Sequence, residues 1–415
     1  MSVYRISSNT INDNGVFHLR NREYEMDKVN QQINTGKKHR LPKENVVDVT
    51  QSMTYHTKIH KIDQYVRNIT DAKNERSLSE IKMNDTIQIL QRARELAVQG
   101  ANGTYSAEDR KAMAVEVDQM LKAVLTNANS KSKGDYLFSG YQKYTQPFEA
   151  LEGVVRGADE PMITKVKYLG DNGVHLREID AGEHIGVNAP GSEVFWADNH
   201  QVYSRFNTRD FRITEDQTII IDTVKIKFNA GDNAYAIMDK INKADVAVTA
   251  SIDRITGGMI LRSTRPHKME VSDIEGGTLM QDLGILEKGR PIGPDNFDSS
   301  VTEFGGTIFD TLIGLRDAML TNNAEDVGGK FLQNIDESIN NLTDNMAKTG
   351  SIDNRLTYLE ARHGEDKLAF TEALTKSEDV DMAEAISEMR MLDFAQRAAL
   401  SSLAKLSKTS LMDFI

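Results

Sequence analysis

The sequence predicts a multidomain α+β fold in which long helices from the two ends of the chain pair as an α-helical coiled-coil bundle, with a β-rich α+β insert in the middle. Three observations carry this. Apolar residues recur at alternating spacings of four and three near both ends, and the rhythm disappears between about Tyr141 and Phe304, where short β-type runs are separated by Gly, Asn, Asp and Pro. At 415 residues the chain also exceeds one ordinary core. Residues 1–45 and 370–415 are expected to be terminal coiled-coil segments, 46–140 and 305–369 a helical bundle, and 141–304 an outer insert holding a small α+β module at 218–286. Only 7% of the residues are aromatic, which is thin for a dense enzyme core and ordinary for long exposed helices.

From the front, a first helix is expected from about Asn12 to Thr35, with Val16, Leu19, Met26 and Ile33 on its seam and Glu23 and Asn30 interrupting it. So short an apolar stripe cannot repay the ordering of the segment, so both termini are expected to be disordered in the isolated chain and to fold only against neighbouring subunits. Ile62, Val66 and Ile69, then Met83, Ile87, Leu90 and Ala97, form the next stripe, broken by Arg94. Ser106 followed by Asp109 reads as a capping box opening a helix whose stripe is Met113, Val117, Met120 and Val124.

Within the insert, Asp171-Asn172-Gly173 between two β-type runs predicts a hairpin, because Asn-Gly accepts the positive φ angles of a type I′ turn. Thr218–Phe228 reads as a strand, Ala234–Asn242 as a helix, and Val246–Ile252 and Gly258–Ser263 as two more strands.

Beyond the insert, Ile308, Leu312, Leu315 and Met319, then Ile335, Ile339, Leu342 and Met346, then Ile352, Leu356 and Leu359 predict several helices in succession. The last stripe is Ala385, Met389, Leu392, Gln396, Ala399, Leu403, Leu406 and Ser410, a heptad seam in which Gln396 fixes register at some cost in stability. Leu400 and Leu411 widen its apolar face.

A net charge of -12 opposes nucleic-acid binding, since phosphate contact needs a basic face. The absence of Cys removes disulfides, thiolate metal sites and a Cys nucleophile. The polar N-terminus lacks an apolar signal-peptide region, and no run reaches 18 apolar residues, so no membrane insertion is expected. His56 and His60 stand four apart, but no ligating Glu accompanies them and Lys61 adjoins the second, which favours a solvated face over a metal site. No P-loop, nucleophile elbow or placed carboxylate pair occurs, so no enzyme, metal or cofactor is expected. The basic run Lys37-Lys38-His39-Arg40 is read as a solvated turn or, more sharply, as a docking site for a neighbour's acidic surface.

The residues also carry a family resemblance. The segment Gln91–Asn102, with Arg92, Arg94, Glu95, Leu96 and Asn102, closely resembles the N-terminal helical signature of the bacterial flagellin family, and Gln32–Lys37, with Gly36, is similar to that family's turn after the terminal helix. The acidic stretch that usually follows is replaced by Lys43-Glu44-Asn45-Val46-Val47, so only the turn carries over. Gly103–Arg110 and Gly134–Gly140, with Phe138 and Gly140, resemble the hook-filament junction branch, as do Tyr168–Gly173 and Ile185–Phe195. Ala383-Glu384-Ala385 and Ser410–Ile415 resemble the C-terminal coiled coil of the family.

The resemblance implies a structural subunit exported through the flagellar type III apparatus. It implies a self-assembling homo-oligomeric ring between another hook-associated protein and flagellin, and an export chaperone on the C-terminal region. The expected location is the flagellum, extracellular or, for an internal flagellum, periplasmic. A filament-forming flagellin and a non-flagellar coiled-coil scaffold remain the alternatives.

Overall fold

The structure, a computed structural model, describes residues 8–39, 43–158, 160–274, 276–293 and 296–412. Three helices come first: α1 (Ser8–Thr35), α2 (Val46–Ala101) and α3 (Ala107–Ala128). The middle begins with β1 (Lys131–Ser132), β2 (Asp135–Tyr136), β3 (Phe148–Gly153), β4 (Met162–Tyr168), β5 (Leu176–Asp180), β6 (Glu183–Gly186) and a single turn α4 (Gly191–Val194). It continues through β7 (Gln201–Tyr203), β8 (Gln217–Ile221), β9 (Val224–Phe228), α5 (Ala234–Lys243), β10 (Val248–Ile252), β11 (Met259–Ser263), β12 (Val271–Ile274), α6 (Leu279–Asp282) and β13 (Thr302–Phe304). The chain closes with α7 (Ile308–Leu320), α8 (Ala324–Asp326), a π-helical turn (Val327–Phe331), α9 (Leu332–Glu378) and α10 (Met382–Met412). Two long-helical ends thus flank a β-rich middle.

The chain divides into two units, one holding the chain up to Val66 and from Leu359 onward, the other Arg67–Tyr358; the divisions fall inside α2 and α9. In the first unit α1 packs along α10. In the second, α3 packs along α7, and the β3–β4 pair lies on α7. The capping box at Ser106 and Asp109 forms as expected, and Thr307 with Asp310 caps α7 in the same way. Val117, Leu121 and Val124 of α3 meet Ile308, Leu312, Leu315 and Met319 of α7 in a core that extends to Met83, Leu90 and Leu96 of α2.

The α+β module has its own core. A sheet ordered β12-β8-β9 and another ordered β10-β11-β7-β13 enclose Ile219, Ile221, Phe228, Ile237, Met259 and Leu261. Asn233 caps α5, whose buried face is Ile237 and Ile241. The strand expected over Thr218–Phe228 is instead a hairpin: Ile221 pairs with Val224, and Asp222 takes φ 54, a left-handed geometry that Asp tolerates better than most residues.

Two further expectations are corrected. The Asn172-Gly173 hairpin does not form, for β4 pairs with β3 and β5 with β6. Asp171 instead spends its carboxylate on the Tyr141 N–H (2.7 Å) and the Gly173 N–H (2.9 Å), turning the chain toward the loop at Gly140. The several helices expected between Ile335 and Leu359 are one helix, α9, because no Pro intervenes and Gly350 and Gly364 are absorbed in its interior. A polar stripe on that helix positions the insert. The buried Asn341 amide donates to the Glu193 carbonyl (2.8 Å), an acceptor that α4 leaves open at its C-terminal end, and to the Trp196 carbonyl just beyond it (2.6 Å).

Candidate assembly interface

The sequence-derived seam residues fall on α1 and α10. On α10, Ala385 is buried, and Met389, Leu392, Gln396, Ala399 and Leu403 are half-buried; no side chain is described at Leu406, and Leu400 is exposed. On α1, Leu19, Met26 and Ile33 are half-buried and Val16 is 40% exposed, whereas Val29, outside the seam reading, is the buried position. The two helices approach closely where Gly15 faces Leu403: a Cβ at Gly15 would stand 2.4 Å from Leu403 Cδ2. Arg22 adds a hydrogen bond to the Ala395 carbonyl (2.7 Å). The α1–α10 pair nonetheless leaves Phe17, Tyr24, Met391 and Phe394 more than half exposed.

Where α1 and α10 leave the long helices, the two connections are bonded to each other. Gly36 takes φ +70, which turns the chain after α1. The Lys38 N–H donates to the Glu378 carbonyl (2.7 Å), and the Val380 N–H donates to the Gly36 carbonyl (2.9 Å). The Glu378 carboxylate sits over this bridge and accepts from Lys37, from the Ser52 hydroxyl (2.7 Å) and from His56 Nε2 (2.7 Å). Burial opposes its ionisation, but the bonds from Lys37, Ser52 and His56 outweigh that and hold its pKa down to about 2.

The basic run therefore has partners within its own chain. Lys37 pairs with Glu378, Lys38 Nζ reaches the Lys376 carbonyl (2.7 Å), and His39 lies 3.3 Å from Asp48; Arg40 lies outside the described residues. Lys37 is thus half-exposed in a turn, with its charge matched by Glu378 of the same chain.

Of the family-motif positions, Gly36 belongs to this joint, and the others belong to the Arg67–Tyr358 unit. Arg92 bridges Glu95 on its own helix and Glu116 on α3 (both 2.9 Å), and Arg94 reaches Asp336 on α9 (2.6 Å), all at the surface. Leu96 is buried. The carbonyl of Asn102 accepts from Arg110 (2.9 Å), the last residue of the Gly103–Arg110 segment, which also holds the Gly100 carbonyl (2.7 Å) and Asn322 (2.5 Å) and so ties the end of α2 to the end of α7. Phe138 stands at the edge of an aromatic cluster centred on Phe148 and Phe195, its ring 5.1 Å from that of Phe195. Gly140 takes φ +70, and a Cβ there would meet the Asp171 carboxylate at 2.0 Å. No group of three or more His, Asp or Glu suited to a metal occurs among the described residues.

Helices from the two ends of the sequence, α1 and α10, thus lie side by side within one unit. Residues 6–143 match the bacterial flagellin N-terminal helical region, 332–415 the flagellin C-terminal helical region, and 212–265 the flagellin hook IN motif. The chain belongs to the bacterial flagellin family.

Flagellar hook-associated protein 3 of Escherichia coli K12 is 25% identical over 192 residues, 46% of this chain and 56% of that protein. The chain thus spans about half the length of that curated relative. Flagellin D of Vibrio anguillarum is 26% identical over 377 residues, 90% of this chain and 92% of the relative. Among solved structures, the flagellar hook-associated protein 3 of Legionella pneumophila is similar over 78% of this chain and 98% of that one, at 16% identity and a TM-score of 0.46.

Proposed function

We propose that the chain is a structural, non-catalytic subunit of the bacterial flagellum that joins the hook, through another hook-associated protein, to the flagellin filament. It is exported largely unfolded by the flagellar type III apparatus, with a chaperone on its C-terminal region, and assembles outside as a homo-oligomeric ring. Its terminal segments form coiled coils with those of neighbouring copies. The observation that carries the assembly half of this reading is the second, uncovered apolar face of the α1–α10 pair, with Phe17 60%, Tyr24 68% and Phe394 75% exposed. The likeness to hook-associated protein 3 supports the junction half.

A filament-forming flagellin is the second reading, favoured by the near end-to-end alignment with the Vibrio flagellin. Purified chain examined by electron microscopy separates the two. A junction subunit yields no long filaments alone and caps or seeds flagellin when mixed with it, whereas long filaments of the chain by itself establish the flagellin reading.

A further inference from the structure

In the α+β module one buried histidine stands between two acceptors. His267 is 2% exposed, with Nδ1 3.0 Å from the Arg265 carbonyl and Nε2 3.1 Å from Asp222 Oδ2. A carbonyl cannot donate. The Asp222 carboxylate already accepts on Oδ1, from the Glu270 N–H (3.1 Å) and the Asn172 amide (3.2 Å). A neutral imidazole carries one N–H, so one of its two contacts would set lone pair against lone pair. Only the imidazolium satisfies both.

The residues around it belong to four separate pieces of chain. Asp222 occupies the β8–β9 turn, and its N–H donates to the Glu270 carbonyl at the start of β12 (2.8 Å). Asn172 reaches in from the turn after β4, donating also to the Lys268 carbonyl (3.2 Å) and accepting from Ser192 of α4. Asp171, its neighbour in sequence, is the residue packed against Gly140. One buried charge therefore lies where the sheet β12-β8-β9 meets the Asp171–Asn172 turn.

We propose that His267 works as a charged clip, fastening the β8–β9 turn, and through Asp222 the Asn172 amide, to the segment that leads into β12 while it carries both ring protons, and loosening that attachment when it loses one. The charged groups facing it are Asp222, which favours the imidazolium, and Arg265, which opposes it and is itself taken up by Glu193 (2.7 Å); Glu270 lies on the far side of Asp222, donating its N–H to Oδ1 (3.1 Å). Burial pulls the imidazolium toward deprotonation, but Asp222 and the Arg265 carbonyl outweigh it and hold the group above the ordinary histidine range. A pKa raised on folding gives an attachment fully present below the ordinary value and lost as pH rises through the raised one.

Hydrogen exchange of the full chain, corrected for the intrinsic pH dependence, tests this. Protection of residues 217–228 and 268–274, measured against β10–β11 as an internal reference, is expected to fall at least about tenfold between about pH 6 and pH 9. A ratio that does not change overturns the proposal. Long-range proton–nitrogen spectra of the unaltered chain supply a second arm: both His267 nitrogens are expected to carry protons at about pH 6, and a single neutral tautomer there overturns it. Asp222→Asn, which keeps the left-handed turn, should abolish the pH-dependent change; persistence of that change in a folded variant rejects Asp222 as the partner.

Discussion

The guanidinium of Arg316 is wholly buried and lies 3.0 Å from the equally buried carboxylate of Asp118, linking α7 to α3 across the core. Its other nitrogen donates to the Ile163 carbonyl of β4 (2.8 Å), so one side chain fixes two helices and a strand. Removing Asp118 leaves the buried Arg316 with only the partly exposed Asp317 (2.8 Å) as counter-charge, and Asp118→Ala is therefore expected to cost about 3 kcal/mol. Denaturant unfolding followed through the single Trp, Trp196, measures this, and a cost under about 1 kcal/mol contradicts a desolvated pair.

The joint at Glu378 carries a pH signature of opposite sign to that at His267. A carboxylate whose pKa falls to about 2 on folding contributes stability that is present above the ordinary Glu range and lost as pH drops through about 2. Glu378→Gln should therefore lower the melting temperature of the terminal helices at neutral pH, and its difference from the unaltered chain should shrink between about pH 5 and pH 2. Circular dichroism melts of both proteins across that range check the sign.

Gly36 and Gly140 both take φ +70, yet they should respond differently to alanine. At Gly36 nothing lies within 4 Å of the added Cβ, so Gly36→Ala is expected to cost only the left-handed strain of about 1–2 kcal/mol. At Gly140 the Cβ would also collide with the Asp171 carboxylate and, at 2.3 Å, its carbonyl oxygen, so Gly140→Ala should cost about 3 kcal/mol or more and disturb the aromatic cluster beside it. Trp196 fluorescence and denaturant midpoints separate the two variants; equal costs contradict the role given to the Asp171 contact.

Leu403 packs where Gly15 leaves room for it, so Leu403→Asp should abolish incorporation into flagella while the middle of the chain stays folded. Retained Trp196 fluorescence together with loss of the variant from isolated flagella is the expected pair of results. An incorporated variant removes Leu403 from the assembly surface.

Helix periodicity and caps were legible in the sequence because they are local. Ser106 and Asp109 needed only each other, and Asn233 to Lys243 needed only one apolar face. Strand partnership was not legible: Asn172-Gly173 has the composition of a tight turn, but Asp171 finds the backbone of Tyr141 and Asn172 finds Asp222, contacts 30 and 50 residues distant. The α1 seam was read through Met26 and Ile33, while Val29, between them, is the buried side chain. Glu378 carried no motif at all, since its partners Lys37, Ser52 and His56 lie more than 300 residues away. A surplus of charge at Lys37–Arg40 was the one visible sign that an acid had to come from elsewhere.

The most direct test of the central claim is to delete the gene in its host and image the cells by electron microscopy, with the culture medium assayed for flagellin. Hooks without filaments, with flagellin shed into the medium, are the predicted result. Intact filaments on the deleted strain would contradict the junction role.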